Sequence, residues 1–211
     1  MKNQFLNFYF KTKAVWNSLF IAVSLYSIIL INFSIQGISP LLIIRDLAQT
    51  CEEKLGVGFI SNLGIIIWIS ISSILIFVFK SYCSKRSKYR KLIFSGSILS
   101  TILALDDFFL IHDKFIIQEI IFLIYLLFAI YLVKKCFKQI SLIDPYLFFA
   151  SYICFGSSIF IDIVLQDIFP DYLLTSQILE EAFKFSGIIC WFSFWWRAAN
   201  EAVKENLRSQ G

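Results

Sequence analysis

The hydrophobic and polar positions of the chain form long apolar runs separated by short polar segments. Each run is close to the roughly 20 residues that a helix needs to cross a bilayer core, and the runs lack the alternation of outer-membrane β-barrel strands. The pattern therefore predicts an all-α integral membrane bundle, with a single transmembrane domain over residues 1–211. Six transmembrane helices are predicted, at about residues 18–34, 58–79, 92–111, 115–133, 146–164 and 178–196.

A short helix is predicted in the outer loop between the first two spans, at about residues 40–54. Ser39 is a typical N-cap, and Pro40 suits the first helical position because its missing N–H is not needed there. Leucine and isoleucine residues then form an apolar stripe, which is typical of a helix that lies on the membrane surface.

The basic residues fall on alternate connections between the spans. With six crossings, the two terminal segments and the connections after the second and fourth spans lie on one side, and they carry 15 of the 19 lysine and arginine residues. By the positive-inside rule, both the N-terminus and the C-terminus are predicted to be cytoplasmic. Of the 15 acidic residues, 12 fall on the other side, although acidic residues contribute little to topology.

Composition narrows the class of protein further. Hydrophobic residues make up 58% of the chain and charged residues 16%, against about 25% charged in ordinary soluble domains. Disordered and most soluble folds are therefore excluded. The basic stretch over residues 80–91 favours contact with anionic lipid headgroups rather than nucleic acid. Membrane lipids are thus the predicted partners, and the sequence indicates no particular protein partner.

Acidic residues inside the predicted spans carry the functional hypothesis. Asp106 lies 15 residues beyond Lys91, which is roughly 22 Å into a core of about 30 Å. A similar count from Tyr146 places Asp162 at comparable depth. Both positions are near helix C-termini, where the helix dipole opposes a carboxylate. Because an ionised aspartate at mid-helix costs about 2.5 to 3.5 kcal/mol, a cation or a proton must offset it.

A candidate site follows from these residues in the outer third of the bundle. The predicted ligands of a divalent metal cation are Asp106, His112 and Asp162, a mainly oxygen set with one nitrogen. The candidate catalytic bases, which would act on a metal-bound water, are Asp107 and Glu181. Further members of the polar cluster are Asp113, Glu119, Glu180 and Lys184.

Several of these residues also have purely structural interpretations, which the sequence leaves open. Glu180 and Glu181 lie in the first turn of the sixth span, where the helix dipole favours acids, and Glu180 can pair with Lys184 four residues later. Asp113 can cap the fourth span. His112, the single histidine, can be an interfacial hydrogen-bonding residue.

Two motifs carry a family resemblance. Residues 106–113 read DDFFLIHD, and residues 180–184 read EEAFK. This pattern resembles that of small uncharacterised bacterial multi-pass membrane proteins, which implies a location in the bacterial inner membrane and no particular activity. The placement of His and Asp at one membrane face also resembles ceramidase-like membrane hydrolases, whose paired histidines four residues apart are missing here.

Three functions fit this reading of the chain. The first is a cation-dependent, metal-assisted site that acts on a lipid or lipid-linked substrate entering from the outer leaflet. The second is a proton- or cation-coupled transporter, in which the buried acids form a relay, although the inner halves of the spans offer hydroxyl groups and no carboxylates. The third is a non-catalytic membrane subunit or scaffold, in which the acids bind a partner or join helices.

Overall fold

The structure, a computed structural model, describes residues 2–44, 58–109, 111, 118–165 and 172–210. Apart from short turns and connections, these residues are helical. No β-strand occurs in these ranges. The helices are α1 (Lys2–Ile35), α2 (Pro40–Ile44), α3 (Phe59–Ser81), α4 (Arg90–Phe109), α5 (Gln118–Ile143), α6 (Pro145–Phe160) and α7 (Leu173–Gln210), and a π-helical turn (Ile161–Leu165) follows α6.

Five helical segments of the described chain are long and apolar enough to cross a membrane. They overlap the first five predicted spans and cover Thr12–Ile35, Phe59–Ser81, Arg90–Phe109, Ile120–Ile143 and Pro145–Val164. The side chains of many of their residues are exposed although they are large and apolar, which suits contact with lipid rather than water. The chain is therefore a multi-pass α-helical membrane protein.

The sixth predicted span, residues 178–196, lies within α7 but is not among those five segments. Glu180, Glu181 and Lys184 near its start and Arg197 after its end reduce its hydropathy. Its apolar side chains nevertheless lie in the core. Among the described residues, four of the five largest fully buried side chains belong to α7: Phe185, Trp191, Phe194 and Trp195.

The helix ends between α1 and α2 follow standard capping rules. Gly37 ends α1 with a positive φ of 81°, and the N–H groups of Gly37 and Ile38 donate to the carbonyls of Ser34 and Phe33. This is a Schellman motif, which favours glycine at the left-handed position. Helix α2 begins at Pro40, where the sequence predicts a helix start; the later part of that predicted helix lies outside the described residues.

The chain divides into two compact units. The first unit takes in Met1–Gly64 and Tyr146–Trp191. Its core is aromatic: Trp191 is fully buried, and its ring lies 5.5 Å from that of Tyr152 and 6.0 Å from that of Phe148. Gly187 makes room for this packing, because a Cβ there would come within 2.6 Å of the Phe155 ring.

The second unit takes in Ile65–Pro145 and Phe192–Gly211. Within it, α4 packs against α5, and the ring of Trp195 fills the space above Gly96. A Cβ at Gly96 would lie 2.2 Å from that indole, closer than any real contact. Of the five apolar segments, α4 has the largest buried share, and it carries the acids Asp106 and Asp107 near its end.

Candidate functional site

The residues of the predicted site belong to both units. Asp106 and Asp107 lie near the end of α4 in the second unit. Asp162 on the π-helical turn and Glu180, Glu181 and Lys184 on α7 all belong to the first unit. His112 and Asp113 lie outside the described residues, and Glu119 lies in α5 with its side chain outside them. That these groups share one pocket stays a prediction.

In the second unit, α3 supplies a donor for one of the two α4 acids. The indole N–H of Trp68 donates to Oδ2 of Asp107 over 2.9 Å, and the Trp68 side chain is only 2% exposed. An indole N–H inside an apolar bundle needs an acceptor. The bond therefore satisfies Trp68 and fixes the orientation of the Asp107 carboxylate.

Asp106, the neighbouring acid, is buried, with 5% of its surface exposed. It lies 16 residues after Arg90, the first residue of α4, which corresponds to about 24 Å along the helix. The adjacent Asp107 is half-buried. The surroundings of these two consecutive carboxylates therefore differ, since Asp106 is enclosed by protein and Asp107 is partly accessible. The depth in the membrane that the sequence gives for Asp106 stays a prediction.

A run of hydroxyl groups continues along α4 toward the helix start. Thr101 Oγ1 is hydrogen-bonded to Ser72 of α3 and donates to the carbonyl of Ser97 over 2.7 Å. Ser100 is fully buried, and Ser97 is buried beside it. In lipid, such hydroxyls hold helices together or line a polar route.

In the first unit, α1 contributes a tyrosine that the sequence prediction did not include. The Tyr26 hydroxyl donates to the carbonyl of Ile178 over 2.7 Å. Glu181 and Glu180 lie close enough to act electrostatically on this hydroxyl. The contact places the first turns of α7 against α1 and brings a phenol close to the two predicted α7 acids.

Asp162 lies on a local distortion of the backbone. The α-helix α6 changes to a π-helical turn at Ile161–Leu165, and the Asp162 side chain is half-buried. Single π-helical turns interrupt the regular ladder of hydrogen bonds and are frequent at functional sites. The distortion thus lies at a residue that the sequence predicts to be a metal ligand, from its depth and from its place near a helix C-terminus.

Trp68 and Tyr26, which the predicted site did not include, occupy positions in the sequence that are unusual for their residue types. Trp68 is the tenth residue of α3, and Tyr26 lies well inside α1, whereas Trp and Tyr in spans usually occupy the interfaces. A polar-tipped aromatic residue at mid-span requires a partner. That partner can be read only from the packing, because Trp68 and Asp107 are 39 residues apart.

The described residues contain no group of three or more His, Cys, Asp or Glu side chains that is placed to hold a metal ion. This finding does not extend to His112, which lies outside the described ranges.

One family model matches the chain over residues 18–198, and its description is a domain of unknown function, DUF8692. The matched region begins in α1, ends in α7 and includes every acid of the predicted site. No curated protein and no solved structure matches the chain.

Proposed function

The chain belongs to the DUF8692 family, and we propose that it is a six-span membrane protein with a cation-dependent site in the outer third of its bundle. In this proposal, Asp106, His112 and Asp162 bind a divalent cation. Asp107 or Glu181 acts as the base toward a water or substrate group. The substrate is a lipid or lipid-linked molecule that enters from the outer leaflet, and the membrane is the bacterial inner membrane.

The observation that carries the proposal is the burial of Asp106 next to an Asp107 whose orientation is fixed by Trp68. A buried carboxylate in an apolar helix is stable only with a positive partner or as the protonated acid. An oriented second carboxylate beside it is the arrangement that a ligand and a base require. The phenol of Tyr26 beside Glu180 and Glu181 supports a further polar group at the start of α7.

Two contacts within the second unit support a sixth crossing by α7. Arg197 donates to Asp144 over 2.8 Å, at the junction between α5 and α6. Asn206 donates to the carbonyl of Tyr82 over 2.9 Å, in the connection between α3 and α4. The end of α7 therefore lies beside the connections from which α4 and α6 start.

The path of the chain then favours an even number of crossings. Helix α6 leaves the Asp144 junction and is long enough to cross the membrane. The chain must therefore return across it for Arg197 to reach Asp144, and α7 is the segment available. Because the connections at that side are rich in lysine and arginine, the positive-inside rule makes them cytoplasmic, and both termini are proposed to lie there.

A metal-binding measurement on the purified full chain tests the site. We expect a divalent cation among Mg²⁺, Ca²⁺, Mn²⁺ and Zn²⁺ to raise the unfolding temperature, and a chelator to reverse the effect, because the ion binds the folded state. Asp106→Asn should weaken the apparent affinity at least about tenfold. Glu201→Gln is the matched control, because Glu201 lies near the C-terminal end of α7, away from Glu180 and Glu181. This variant should bind the cation as the wild type does.

The opposite result is equally clear. If no divalent cation shifts the unfolding temperature of the wild-type chain, or if Asp106→Asn and Glu201→Gln bind equally well, the cation site is wrong.

Transport is a second candidate, favoured by the hydroxyl run of α3 and α4. Ser72, Thr101, Ser97 and Ser100 extend from below the acids toward the start of α4, and this direction is the one that a proton or cation route needs. Proteoliposomes loaded with a pH-sensitive dye test it. Flux that is present in the wild type and lost in Asp106→Asn and Thr101→Val favours transport, whereas equal dye responses with and without protein exclude it.

A further inference from the structure

One end of the second unit carries a dense group of exposed cations. These residues come from the region where α3 is followed by α4 and from the last turns of α5, and they are here called the basic face. Its eight members, all exposed, are Lys80, Lys85, Arg86, Lys88, Lys91, Lys134, Lys135 and Lys138.

The connection between α3 and α4 is held by the end of α7. Asn206 donates to the carbonyl of Tyr82 over 2.9 Å. Glu205 accepts hydrogen bonds from the Ser87 hydroxyl and, over 3.4 Å, from the N–H of Lys88. The backbone that carries the cations of the basic face is thereby fixed at both of its ends.

Helix α5 reaches the same connection. Gln139 Nε2 donates to the carbonyl of Lys88 over 3.3 Å, and Lys91 lies close enough to Cys136 to act on its thiol electrostatically. Gln139 and Cys136 lie in the same last turns of α5 as Lys134, Lys135 and Lys138, so the α5 lysines lie at the same end of the second unit as the cations of the connection.

The neighbouring polar groups are already used within the protein. Arg90 donates to the carbonyl of Cys83, and its guanidinium lies 4.5 Å from the centre of the Phe79 ring. Asp144 is buried and bound by Arg197 over 2.8 Å. The third acid of this end, Glu201, pairs with Lys204 over 2.8 Å, and Glu205 is bonded to Ser87. Eight of the eleven exposed lysine and arginine residues described in the second unit therefore belong to the basic face, and the other three lie on α7: Arg197, Lys204 and Arg208.

We propose that the basic face binds the headgroups of anionic phospholipids. Charge complementarity gives the sign of the ligand, since clusters of lysine and arginine beside membrane spans attract anionic lipids. Apolar side chains give its class: Phe137, between Lys135 and Lys138 in sequence, is 55% exposed, and Phe77, three residues before Lys80, is 59% exposed. A phospholipid satisfies both kinds of group, with its headgroup on the cations and its chains on the phenylalanines.

Titration of the full chain in a neutral detergent tests this proposal. The probes are dihexanoyl phosphatidylglycerol, which is anionic, and dihexanoyl phosphatidylcholine, which has no net charge, and affinity is measured by calorimetry. We expect the wild type to bind the anionic lipid at least about tenfold more tightly. Each basic residue near an anionic surface contributes about a fivefold factor, so Lys134→Gln/Lys135→Gln/Lys138→Gln should remove most of this preference.

Two further variants separate a site from overall charge. Lys2→Gln/Lys11→Gln/Lys13→Gln removes the same number of positive charges from the N-terminal segment and should keep the preference. Lys134→Arg/Lys135→Arg/Lys138→Arg keeps the charges in place and should keep it as well. If the glutamine variant of α5 fails to fold, Lys85→Gln/Arg86→Gln serves the same purpose, with thermal unfolding as the check on each variant.

Three outcomes of the lipid titrations would overturn the proposal. They are equal affinity of the wild type for the two lipids, an undiminished preference in the α5 glutamine variant, and an equal loss in that variant and the N-terminal one. Tighter binding of heparin than of phosphatidylglycerol would also overturn it, because it would make a soluble polyanion the better ligand.

Discussion

At the scale of single residues, polar side chains in the spans are governed by their need for partners. Burial removes the water partners of an indole N–H and of a phenol, so an acceptor within the protein stabilises Trp68 and Tyr26. Trp68 uses the carboxylate of Asp107, and Tyr26 uses the carbonyl of Ile178. The first bond orients a residue of the predicted site, and the second holds the start of α7, which carries Glu180 and Glu181.

The Trp68–Asp107 bond predicts a modest loss of stability on substitution. Trp68→Phe keeps an aromatic ring but leaves Asp107 without the indole donor, and interhelical hydrogen bonds in membranes are worth about 0.6 kcal/mol and at most about 2 kcal/mol. We expect a loss in this range, together with the cost of the smaller ring, in reversible unfolding in mixed micelles.

Trp196→Phe is the matched control for this measurement. Trp196 is 51% exposed and stacks on Phe192 at 6.1 Å, so the same change should cost less. If the free energy of unfolding falls equally in the two variants, the bond to Asp107 contributes nothing measurable.

Cys83 predicts a pH dependence outside the spans. Burial raises the pKa of its thiol, and Glu205 adds to this effect, while Ser87 and Arg90 oppose it. Since the thiolate is the reactive form, a lower fraction reacts at neutral pH than in a free cysteine. In a chain whose other cysteines are replaced by alanine, the maleimide reaction rate of Cys83 should reach its midpoint above about pH 8.5.

The neighbouring position provides the comparison. Ser84 is exposed, so Cys83→Ser/Ser84→Cys moves the thiol by one residue into solvent, and its midpoint should lie at the ordinary cysteine value. Identical rate profiles for the two thiols would show that burial of Cys83 does not govern its ionisation.

Depth along a helix can be predicted from sequence, whereas lateral neighbours cannot. Counting from Lys91 gives the distance of Asp106 along α4, because the rise per residue is nearly constant, and its depth in the membrane stays a prediction. The partner of Asp107 could not be found in this way. Which of several faces of α3 meets α4 depends on the packing of the whole bundle, and no local pattern records it.

At the scale of the helices, close approach is set by small residues. Gly96 lets α4 accept the Trp195 ring of α7 within the second unit, and Gly187 lets α7 accept the Phe155 ring of α6 within the first. Small residues are typical of helix interfaces in membranes, where dispersion contacts replace the hydrophobic effect. In each unit an aromatic ring is thus matched to a position without a side chain.

The Gly96 contact predicts a clear loss on adding one methyl group. In Gly96→Ala the new Cβ lies 2.2 Å from the Trp195 ring, so the indole or the helix must shift. Overpacking of this kind costs about 1 to 3 kcal/mol, which exceeds the gain of up to about 1 kcal/mol from helix propensity. The unfolding free energy should therefore fall.

Gly156→Ala is the control on α6. Nothing lies within 4 Å of its added Cβ, so the substitution should be neutral or stabilising through helix propensity. Similar stability of the Gly96→Ala chain and the Gly156→Ala chain would contradict the close approach of Trp195.

Helix boundaries were predictable to differing degrees. Ser39-Pro40 marks a helix start in both the sequence and the structure, because capping depends on adjacent residues. The π-helical turn at Ile161–Leu165 was not predicted, since its apolar residues read as regular span. Helices α5 and α7 extend beyond the predicted spans to Ile143 and Gln210, because hydropathy gives the width of the membrane and does not determine where a helix ends.

At the scale of the whole molecule, the number of crossings decides where the C-terminus lies. Five helical segments meet the apolar requirement, and the sequence predicts a sixth in α7. Hydropathy undervalues this segment because its charged residues and tryptophans score low, although Trp191 and Trp195 are buried in the core. The contacts of Arg197 with Asp144 and of Asn206 with Tyr82 favour six crossings.

Alkaline phosphatase fusions test this topology, because the enzyme is active only outside the cytoplasm. Fusions after Gln210 and after Ser84 should both be inactive, since six crossings place both positions in the cytoplasm. A fusion after Asp167, between α6 and α7, should be active. An active fusion after Gln210 together with an inactive one after Ser84 would show that α7 does not cross the membrane.

The connection between α2 and α3 has a backbone geometry that suits the insertion of another domain. The N–H of Gly58 donates to the carbonyl of Leu42 over 2.8 Å. The end of α2 and the start of α3 are therefore joined by a backbone hydrogen bond. A domain inserted between these two residues would have both of its ends attached at neighbouring positions. A small fluorescent domain with neighbouring ends would therefore replace residues 45–57 with little strain on the flanking helices, and would make the protein visible by microscopy.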